Sequence, residues 1–193
     1  MHTKAAVFID KDGTLIDDVP YNVDPSAVRF AAGVEETLGR LNSAGFELFI
    51  ITNQAGVAMG RFKETELPVL QDFFATAFEG MGCRLAGFYY CPHHPEAADE
   101  EYRVACDCRK PAPGMLRRAA TEHHLSLPDS WFIGDILNDV EAGRLAGCRT
   151  VLINNGNETE WVMTPQRQPH FTVPDFRSAV DVVLKSLGKE RAR

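Results

Sequence analysis

Five short apolar segments of strand length constrain the fold of this chain more than any other feature. They alternate with stretches in which apolar residues recur at helical spacing. This alternation predicts parallel strands joined by right-handed crossovers, and therefore a three-layer, Rossmann-like α/β fold with helices on both faces of one sheet. The predicted strands are 5–9, 46–52, 85–90, 130–135 and 149–154, and the predicted helices are 34–42, 64–78, 115–123, 139–146 and 176–187.

The length of the chain favours one domain over residues 1–193, because 193 residues with 45% hydrophobic content can enclose a single full core. No apolar stretch approaches the roughly 20 residues that cross a bilayer, and no signal peptide is evident. The net charge of −7 argues against a nucleic-acid partner. We therefore expect a cytoplasmic protein with no membrane or nucleic-acid partner. Its polar surface favours a monomer.

Polar residues follow the predicted strands at the points where those strands end. Because the carboxyl ends of parallel strands meet at one edge of the sheet, where ligands bind, we expect these side chains to share a pocket. Two basic residues precede the helix that leads to the fourth strand, and they can reach the same place. The residues concerned are Asp10, Asp12, Thr52, Asn53, Arg109, Lys110 and Asp135.

Asp10 and Asp12 are two carboxylates held close together, and such a pair needs a cation or a shared proton. Mg²⁺ meets this need, because it takes oxygen ligands and binds through one or two carboxylates plus a substrate phosphate. Asp135 offers another oxygen, and Lys110 offers a donor for phosphate. Taken alone, Asp-x-Asp-Gly-Thr is also compatible with a calcium-type turn or an Asx-turn.

A second cluster combines a C-x-H pair with a C-x-C pair in the polar segment 91–108. Three thiolates and one imidazole are a ligand set for tetrahedral zinc, and four protein ligands leave no position open for water. The zinc is therefore predicted to be structural and to stiffen the loop that carries Arg109 and Lys110. The ligands are Cys91, Cys106, Cys108 and either His93 or His94, whereas Cys83 and Cys148 are interpreted as small core residues.

Four motifs occur in a fixed order, namely "DKDGT", the "TN" after the second strand, "RKP" and "GDILND". In this order they resemble the haloacid dehalogenase superfamily of phosphatases. The segments "YYCPHHP" and "CDCRKPAPGM" resemble the heptose bisphosphate phosphatases and the related histidinol phosphate phosphatases of its subfamily IIIA, and "NQAGVAMGRF" is closer to the heptose branch.

The resemblance implies a magnesium-dependent phosphatase that removes the 7-phosphate of a manno-heptose 1,7-bisphosphate in heptose biosynthesis. The segments between the motifs are too short for a separate cap domain. One alternative is the same chemistry on histidinol phosphate or another small phosphate ester. An alternative of another class is a non-catalytic, zinc-stabilised protein that binds phosphate. In either enzymatic case the partner is a small phosphorylated substrate.

The resemblance also assigns roles to individual residues. Asp10 would be the nucleophile that becomes an aspartyl phosphate, and Asp12 the general acid and then the base. Mg²⁺ would be held by the Asp10 carboxylate, the Asp12 backbone carbonyl and Asp135. Thr52 and Lys110 would stabilise the transferring phosphoryl group, assisted by Asn53. His93, rather than His94, would complete the zinc site.

The remaining expectations concern the surroundings of this pocket. Arg109 is expected to hold the substrate, and Asp139 to orient Lys110 or a metal-bound water. The rim loops supply the candidate substrate-binding residues Asp18, Tyr21, Asn53, Gln54 and Arg61. Two features depart from the family pattern: Ile136 stands where a basic residue is often found, and segment 155–172 has no clear counterpart.

Overall fold

The computed structural model describes residues 4–190, which form one six-stranded parallel sheet flanked by helices. The strands are β1 (Ala6–Ile9), β2 (Glu47–Asn53), β3 (Leu85–Cys91), β4 (Trp131–Gly134), β5 (Arg149–Ile153) and β6 (Phe171–Val173). The helices are α1 (Val34–Ser43), α2 (Ala55–Ala58), α3 (Leu67–Gly80), α4 (Gly114–His123), α5 (Leu137–Ala146) and α6 (Phe176–Glu190). The strand order is β3-β2-β1-β4-β5-β6, and every pairing is parallel.

The central strand β1 is buried on both faces because helices cover both sides of the sheet. Val7 and Ile9 pack into a core that includes residues of α1, α3 and α6. Ala6 and Phe8 point to the opposite side and pack with residues of α4 and α5. The continuous apolar run that suggested this strand therefore reflects two separate cores, as expected for a parallel sheet.

The predicted three-layer fold is confirmed, and the five predicted strands are present. One strand, β6, and one α-helix, α2, were not predicted. The third residue of β6 is buried but its first, Phe171, is 43% exposed, so the strand lacks a continuous apolar signal. Helix α2 has only four residues, fewer than a periodic pattern requires.

Two helices begin two or more residues away from their predicted starts. The predicted helix 64–78 begins as a 3₁₀ turn at Glu64–Glu66 and becomes α3 at Leu67, with Pro68 in the first turn of the α-helix. Helix α5 begins at Leu137, ahead of the predicted start, because Asp139 accepts a hydrogen bond from the backbone N–H of Ile136 and closes the first turn. Within residues 4–190, no helix is both long and apolar enough to cross a membrane.

The register of the sheet brings the polar strand ends together. Ile9 is paired with Ile50 on one side and Ile133 on the other, so Asp10 leaves β1 between the ends of β2 and β4. The backbone N–H of Asp10 donates to the carbonyl of Ile133 at 2.9 Å and holds the turn against β4. The carboxyl edge of the sheet is therefore the place where the predicted site residues meet.

Candidate active site and metal centre

A buried lysine lies at the centre of the candidate active site. Lys110 is 4% exposed, and its Nζ forms a very short ion pair with Asp10 Oδ1 and lies 2.6 Å from Asp139 Oδ1. The carbonyl of Ile51 also accepts from Nζ, at 3.3 Å. Burial alone would disfavour the ammonium, but the two carboxylates outweigh it and raise the pKa of Lys110. Lys110 is therefore a fixed cation next to Asp10.

Asp135 is held from two sides at the end of β4. Its Oδ1 accepts a hydrogen bond from Thr14 Oγ1 at 2.9 Å, and its Oδ2 accepts one from Asn157 Nδ2 at 2.7 Å. Gly13, at φ +83°, is required here, because a Cβ would overlap both Asp135 Oδ2 and the Asn157 amide. Burial, followed by the charge of Asp139, raises the pKa of Asp135 to about 6.

Three buried carboxylates make this part of the site suitable for a divalent cation. Asp10, Asp135 and Asp139 are 6%, 3% and 1% exposed, and each places a carboxylate oxygen within 4.8 Å of the others. Lys110 neutralises only one of the three negative charges. Burial raises the pKa of Asp10 well above its usual range, against the opposing effect of Lys110. A bound Mg²⁺ would supply the missing positive charge, and oxygen donors are the ligands it prefers.

Asp12 makes its side-chain contacts with residues outside this carboxylate cluster. Its Oδ1 forms an ion pair with Lys11 Nζ at 2.5 Å. Its Oδ2 has only long contacts, at 3.5 Å to Thr52 Oγ1 and 3.4 Å to Gln54 Nε2. Gln54 also donates to Thr52 Oγ1 at 2.8 Å, which fixes the hydroxyl beside Asp12. With its side chain 29% exposed, Asp12 can reach a substrate oxygen.

Asn53 contacts the backbone of Lys110. Its Oδ1 accepts from the Lys110 N–H at 3.0 Å, and its Nδ2 donates to the Lys110 carbonyl at 3.1 Å. Both ends of the amide are therefore used to hold the lysine segment beside β2. Its assignment as a substrate-binding residue stays a prediction, and these hydrogen bonds favour a positioning role.

The cysteine cluster converges as the zinc prediction requires. Cys91 Sγ lies 3.0 Å from Cys108 Sγ, 3.6 Å from Cys106 Sγ and 3.7 Å from His93 Nδ1. Zinc bonded at about 2.3 Å to sulfur keeps its ligand atoms roughly 3 to 4 Å apart, so the four donors fit one tetrahedral ion. His94 is used differently, since its Nδ1 accepts from the backbone of Glu96 at 3.2 Å. The geometry thus favours His93 over His94.

The thiols of this cluster have strongly perturbed acidities. Burial raises the pKa of Cys91 and of Cys108. Burial also opposes ionisation of Cys106, but hydrogen bonds from Cys108 and from the Arg109 backbone lower its pKa to about 7. A zinc ion would have to displace protons from the first two thiols, as metal binding to cysteine normally does.

The predicted substrate-binding residues lie in two neighbouring regions. Asp18, Tyr21, Asn53 and Gln54 line a cavity of about 270 Å³ together with Lys11 and Asp12. Arg61 stacks on the ring of Tyr21 at 5.4 Å and lines an adjacent cavity of about 730 Å³. Arg109 donates to the carbonyl of His93 at 3.2 Å, so in this structure it braces loop 91–108.

Several residues around the site were not found from the sequence. Lys11 was not among the predicted site residues, although it is 1% exposed and paired with Asp12. Thr14 and Asn157 hold Asp135, and Asn155 donates to the Gly13 carbonyl at 2.7 Å. Lys11 and Thr14 could have been identified as site residues from their position inside the first motif, DKDGT. The two asparagines lie in a segment without any periodic pattern.

Fold and site together define a hydrolase of the haloacid dehalogenase-like class. The model of the HAD-hydrolase-like family matches residues 107–179. The D-glycero-beta-D-manno-heptose-1,7-bisphosphate 7-phosphatase of Escherichia coli K12 is 37% identical over 183 residues, which cover 94% of this chain and 89% of that protein. The enzyme of the same name from Photorhabdus laumondii is 41% identical over 152 residues, covering 78% and 81% of the two chains.

A solved structure agrees with these sequence relatives. The D,D-heptose 1,7-bisphosphate phosphatase of B. bronchiseptica, complexed with magnesium and phosphate, superposes with a TM-score of 0.75 at 26% identity, covering 94% of this chain and 99% of that one. The chain belongs to the haloacid dehalogenase superfamily of phosphatases, in the family of the heptose 1,7-bisphosphate 7-phosphatases. The family predicted from the sequence motifs is thereby confirmed.

Proposed function

We propose that this protein is a magnesium-dependent phosphatase that removes the 7-phosphate of D-glycero-D-manno-heptose 1,7-bisphosphate. The observation that carries the proposal is the pairing of a buried lysine with Asp10 beside two further buried acids, with Asp12 facing a separate cavity. The relatives named for this reaction support the choice of substrate.

In the first half-reaction, a carboxylate oxygen of Asp10 attacks the 7-phosphorus, and an oxygen–phosphorus bond forms as the bond to the sugar oxygen breaks. Asp12 gives its proton to that leaving oxygen. Lys110 keeps its charge beside Asp10, where it stabilises the negative charge of the transferring group, and the Thr52 hydroxyl donates from the other side. Asp139 and Asn53 hold Lys110 in place through its ammonium and its backbone.

In the second half-reaction, Asp12 takes a proton from water, and the water oxygen attacks the phosphorus of the aspartyl phosphate. The bond to Asp10 breaks, phosphate leaves, and Asp12 is protonated again for the next turnover. The side chain of Asp12 is free for this exchange because its ion pair with Lys11 uses only Oδ1. The same residue can thus act as acid and then as base.

The carboxylates of Asp10 and Asp135 and the backbone carbonyl of Asp12 would hold the Mg²⁺ ion. When bound, the ion supplies charge neutralisation for the phosphoryl oxygens. Cys91, His93, Cys106 and Cys108 would hold a structural Zn²⁺ that stiffens loop 91–108. That loop ends directly before Arg109 and Lys110, so its stiffness fixes the position of the catalytic lysine.

The proposal is tested by measuring phosphate release from heptose 1,7-bisphosphate, once with Mg²⁺ and once with EDTA. We expect turnover by the wild type with Mg²⁺ only, and none by Asp10→Asn, because an amide cannot form the acyl phosphate. Asp72→Asn, the same change at an exposed position on α3, should behave as wild type. Turnover that survives Asp10→Asn contradicts the mechanism, and faster hydrolysis of histidinol phosphate contradicts the substrate.

Three further parts of the proposal concern the whole chain. We propose that residues 1–193 act as one catalytic domain closed by its own loops, that the protein works as a monomer, and that it does so in the cytoplasm. The single sheet formed by residues 4–190 supports the first part. Sedimentation of the purified protein tests the second.

A further inference from the structure

Lys11 is a buried cation that the phosphatase mechanism does not use. It is 1% exposed, and its Nζ contacts Asp12 Oδ1 at 2.5 Å. Among residues 4–190, Asp12 is the hydrogen-bond and ion-pair partner of this ammonium. A lysine ammonium carries three N–H donors, so this one can also donate to a further acceptor. Buried donors of this kind are normally satisfied by a partner.

The cavity beside Lys11 is the natural place for that partner. It has a volume of about 270 Å³, and its lining includes Lys11, Asp12, Asp18, Tyr21 and Gln54. The carboxylates that would hold the metal do not line it. Because Asp12 would give its proton to the leaving oxygen, a cavity lined by Asp12 receives the leaving group. Its volume lies just below the roughly 300–1,000 Å³ typical of ligand pockets and suits a single sugar.

The charges around the cavity indicate what it binds. Asp12 and Asp18 bring two carboxylates to its wall, and Lys11 brings one ammonium. A second phosphate would be repelled by the carboxylates, whereas a polyol can accept from the ammonium and donate to the carboxylates. Arg61, stacked on Tyr21 and lining the next cavity, is the cation left for a distal anionic group.

We propose that Lys11 is a substrate-binding residue whose ammonium donates a hydrogen bond to a hydroxyl oxygen of the polyol leaving group. The inference rests on the proposed phosphatase function and assigns the polyol to the cavity of Lys11, Asp12 and Asp18. The ion pair with Asp12 aims the ammonium and keeps the proton donor beside the same sugar. Lys11 thereby selects esters with a hydroxylated leaving group.

The test compares Lys11→Met with wild type on two esters, heptose 1,7-bisphosphate and p-nitrophenyl phosphate. Methionine keeps the length of the side chain and removes the charge and the donors. We expect KM for the heptose ester to rise roughly 10- to 100-fold, as for loss of a hydrogen bond to a charged group. KM for p-nitrophenyl phosphate, which has no hydroxyl groups, should change less than threefold. Lys4→Met, the same change at a lysine whose side chain is 63% exposed, is the matched control.

Inhibition by the product heptose 1-phosphate provides a second measurement, because this product carries the polyol without the scissile phosphate. Its inhibition constant should rise by the same factor in Lys11→Met. An equal loss on both esters would mean a structural role, and a fall in kcat with unchanged KM and inhibition constant would mean that Lys11 acts only through Asp12. Either result overturns the proposal. If Lys11→Met does not fold, Lys11→Leu, which also lacks charge and donors, replaces it.

The failure of the proposed function would be seen separately. Wild type that does not hydrolyse heptose 1,7-bisphosphate rejects that substrate whatever the variant does. The comparison for Lys11 is then made between glycerol phosphate, which has a hydroxylated leaving group, and p-nitrophenyl phosphate. An unchanged KM ratio between those two esters in Lys11→Met would reject the assignment of Lys11.

Discussion

Removal of Mg²⁺ should destabilise the protein more at neutral than at acidic pH, because the metal site contains buried carboxylates. Burial and then the charge of Asp139 raise the pKa of Asp135 to about 6, against the opposing effects of Asn157, Thr14 and Lys110. Without metal, native Asp135 therefore keeps its proton up to a higher pH than Asp135 of the unfolded chain does. Mg²⁺ binds the ionised form, so its stabilising effect should increase with pH.

The sign and the size of this pH dependence follow from the raised pKa of Asp135. Its ordinary value is 3.8, so the unfolded chain releases this proton at lower pH than the native protein does. In the metal-free protein, the stability that comes from the raised pKa of Asp135 is fully present below about pH 4. It is lost as the pH rises through about 6. About two pH units at 1.36 kcal/mol each correspond to at most about 3 kcal/mol. At 100 times its dissociation constant, Mg²⁺ raises the free energy of unfolding by about 2.7 kcal/mol, which corresponds to a rise of about 5 to 10 °C in Tm.

Thermal unfolding followed by circular dichroism, in EDTA and in Mg²⁺ at pH 5 and pH 7.5, measures this effect. We expect a clear Mg²⁺-dependent rise of Tm at pH 7.5 and a much smaller one at pH 5. Asp135→Asn should lose most of the rise, whereas Asp72→Asn at the surface should keep it. Asp10, whose pKa is also raised by burial, contributes to the wild-type pH dependence, so the variant isolates Asp135. A full Mg²⁺ effect in Asp135→Asn would refute the reasoning.

Three other predictions follow from the site. Lys110→Met should lower kcat about 10²- to 10³-fold in steady-state assays, because a preorganised charge next to the transferring phosphoryl group is lost; an unchanged kcat would remove it from the mechanism. Cys106→Ser should reduce bound zinc, measured by elemental analysis, and make the zinc loop sensitive to proteases, whereas Cys83→Ser should keep the zinc. Asn157→Ala should raise the Mg²⁺ concentration needed for half-maximal activity several-fold, since Asp135 loses a hydrogen bond at 2.7 Å, and an unaltered Mg²⁺ titration would argue against this role.

The convergence of the site could be predicted because it depends on topology rather than on side-chain detail. Apolar runs and helical spacing identified the alternating elements, and parallel strands must place their carboxyl ends along one edge. Asp10, Asp135 and Lys110 were therefore expected in one pocket, and the structure brings them together. The convergence of Cys91, His93, Cys106 and Cys108 was expected from their types and spacing, and the structure shows it, whereas the bound zinc stays a prediction.

Asp139 was expected beside Lys110, and the structure pairs the two residues. Other partners in the site could not be predicted, because they depend on loops without a periodic pattern. Segment 155–172 gave no signal, yet Asn157 holds Asp135, and Glu158 accepts from the backbone N–H of Leu137 at 2.6 Å, at the start of α5. Asn53 was expected to contact phosphate, which stays a prediction, and its two hydrogen bonds to the backbone of Lys110 were not foreseen. Nothing in the sequence fixes which of several nearby acceptors an amide will use.

Lys11 illustrates how local geometry changes the meaning of a motif. Alternation along a strand would place Asp10 and Asp12 on one face and Lys11 on the other, as a spacer. However, β1 ends at Ile9, and the Lys11 carbonyl accepts from the N–H groups of Leu15 and Ile16 at 3.0 Å, so the chain has already turned. The turn lets the lysine ammonium meet Asp12 at the cavity that both residues line. The proposed nucleophile, the proposed proton donor and the proposed substrate-facing cation are therefore three consecutive residues of the first motif, and we expect an altered turn to change the chemistry and the choice of leaving group together.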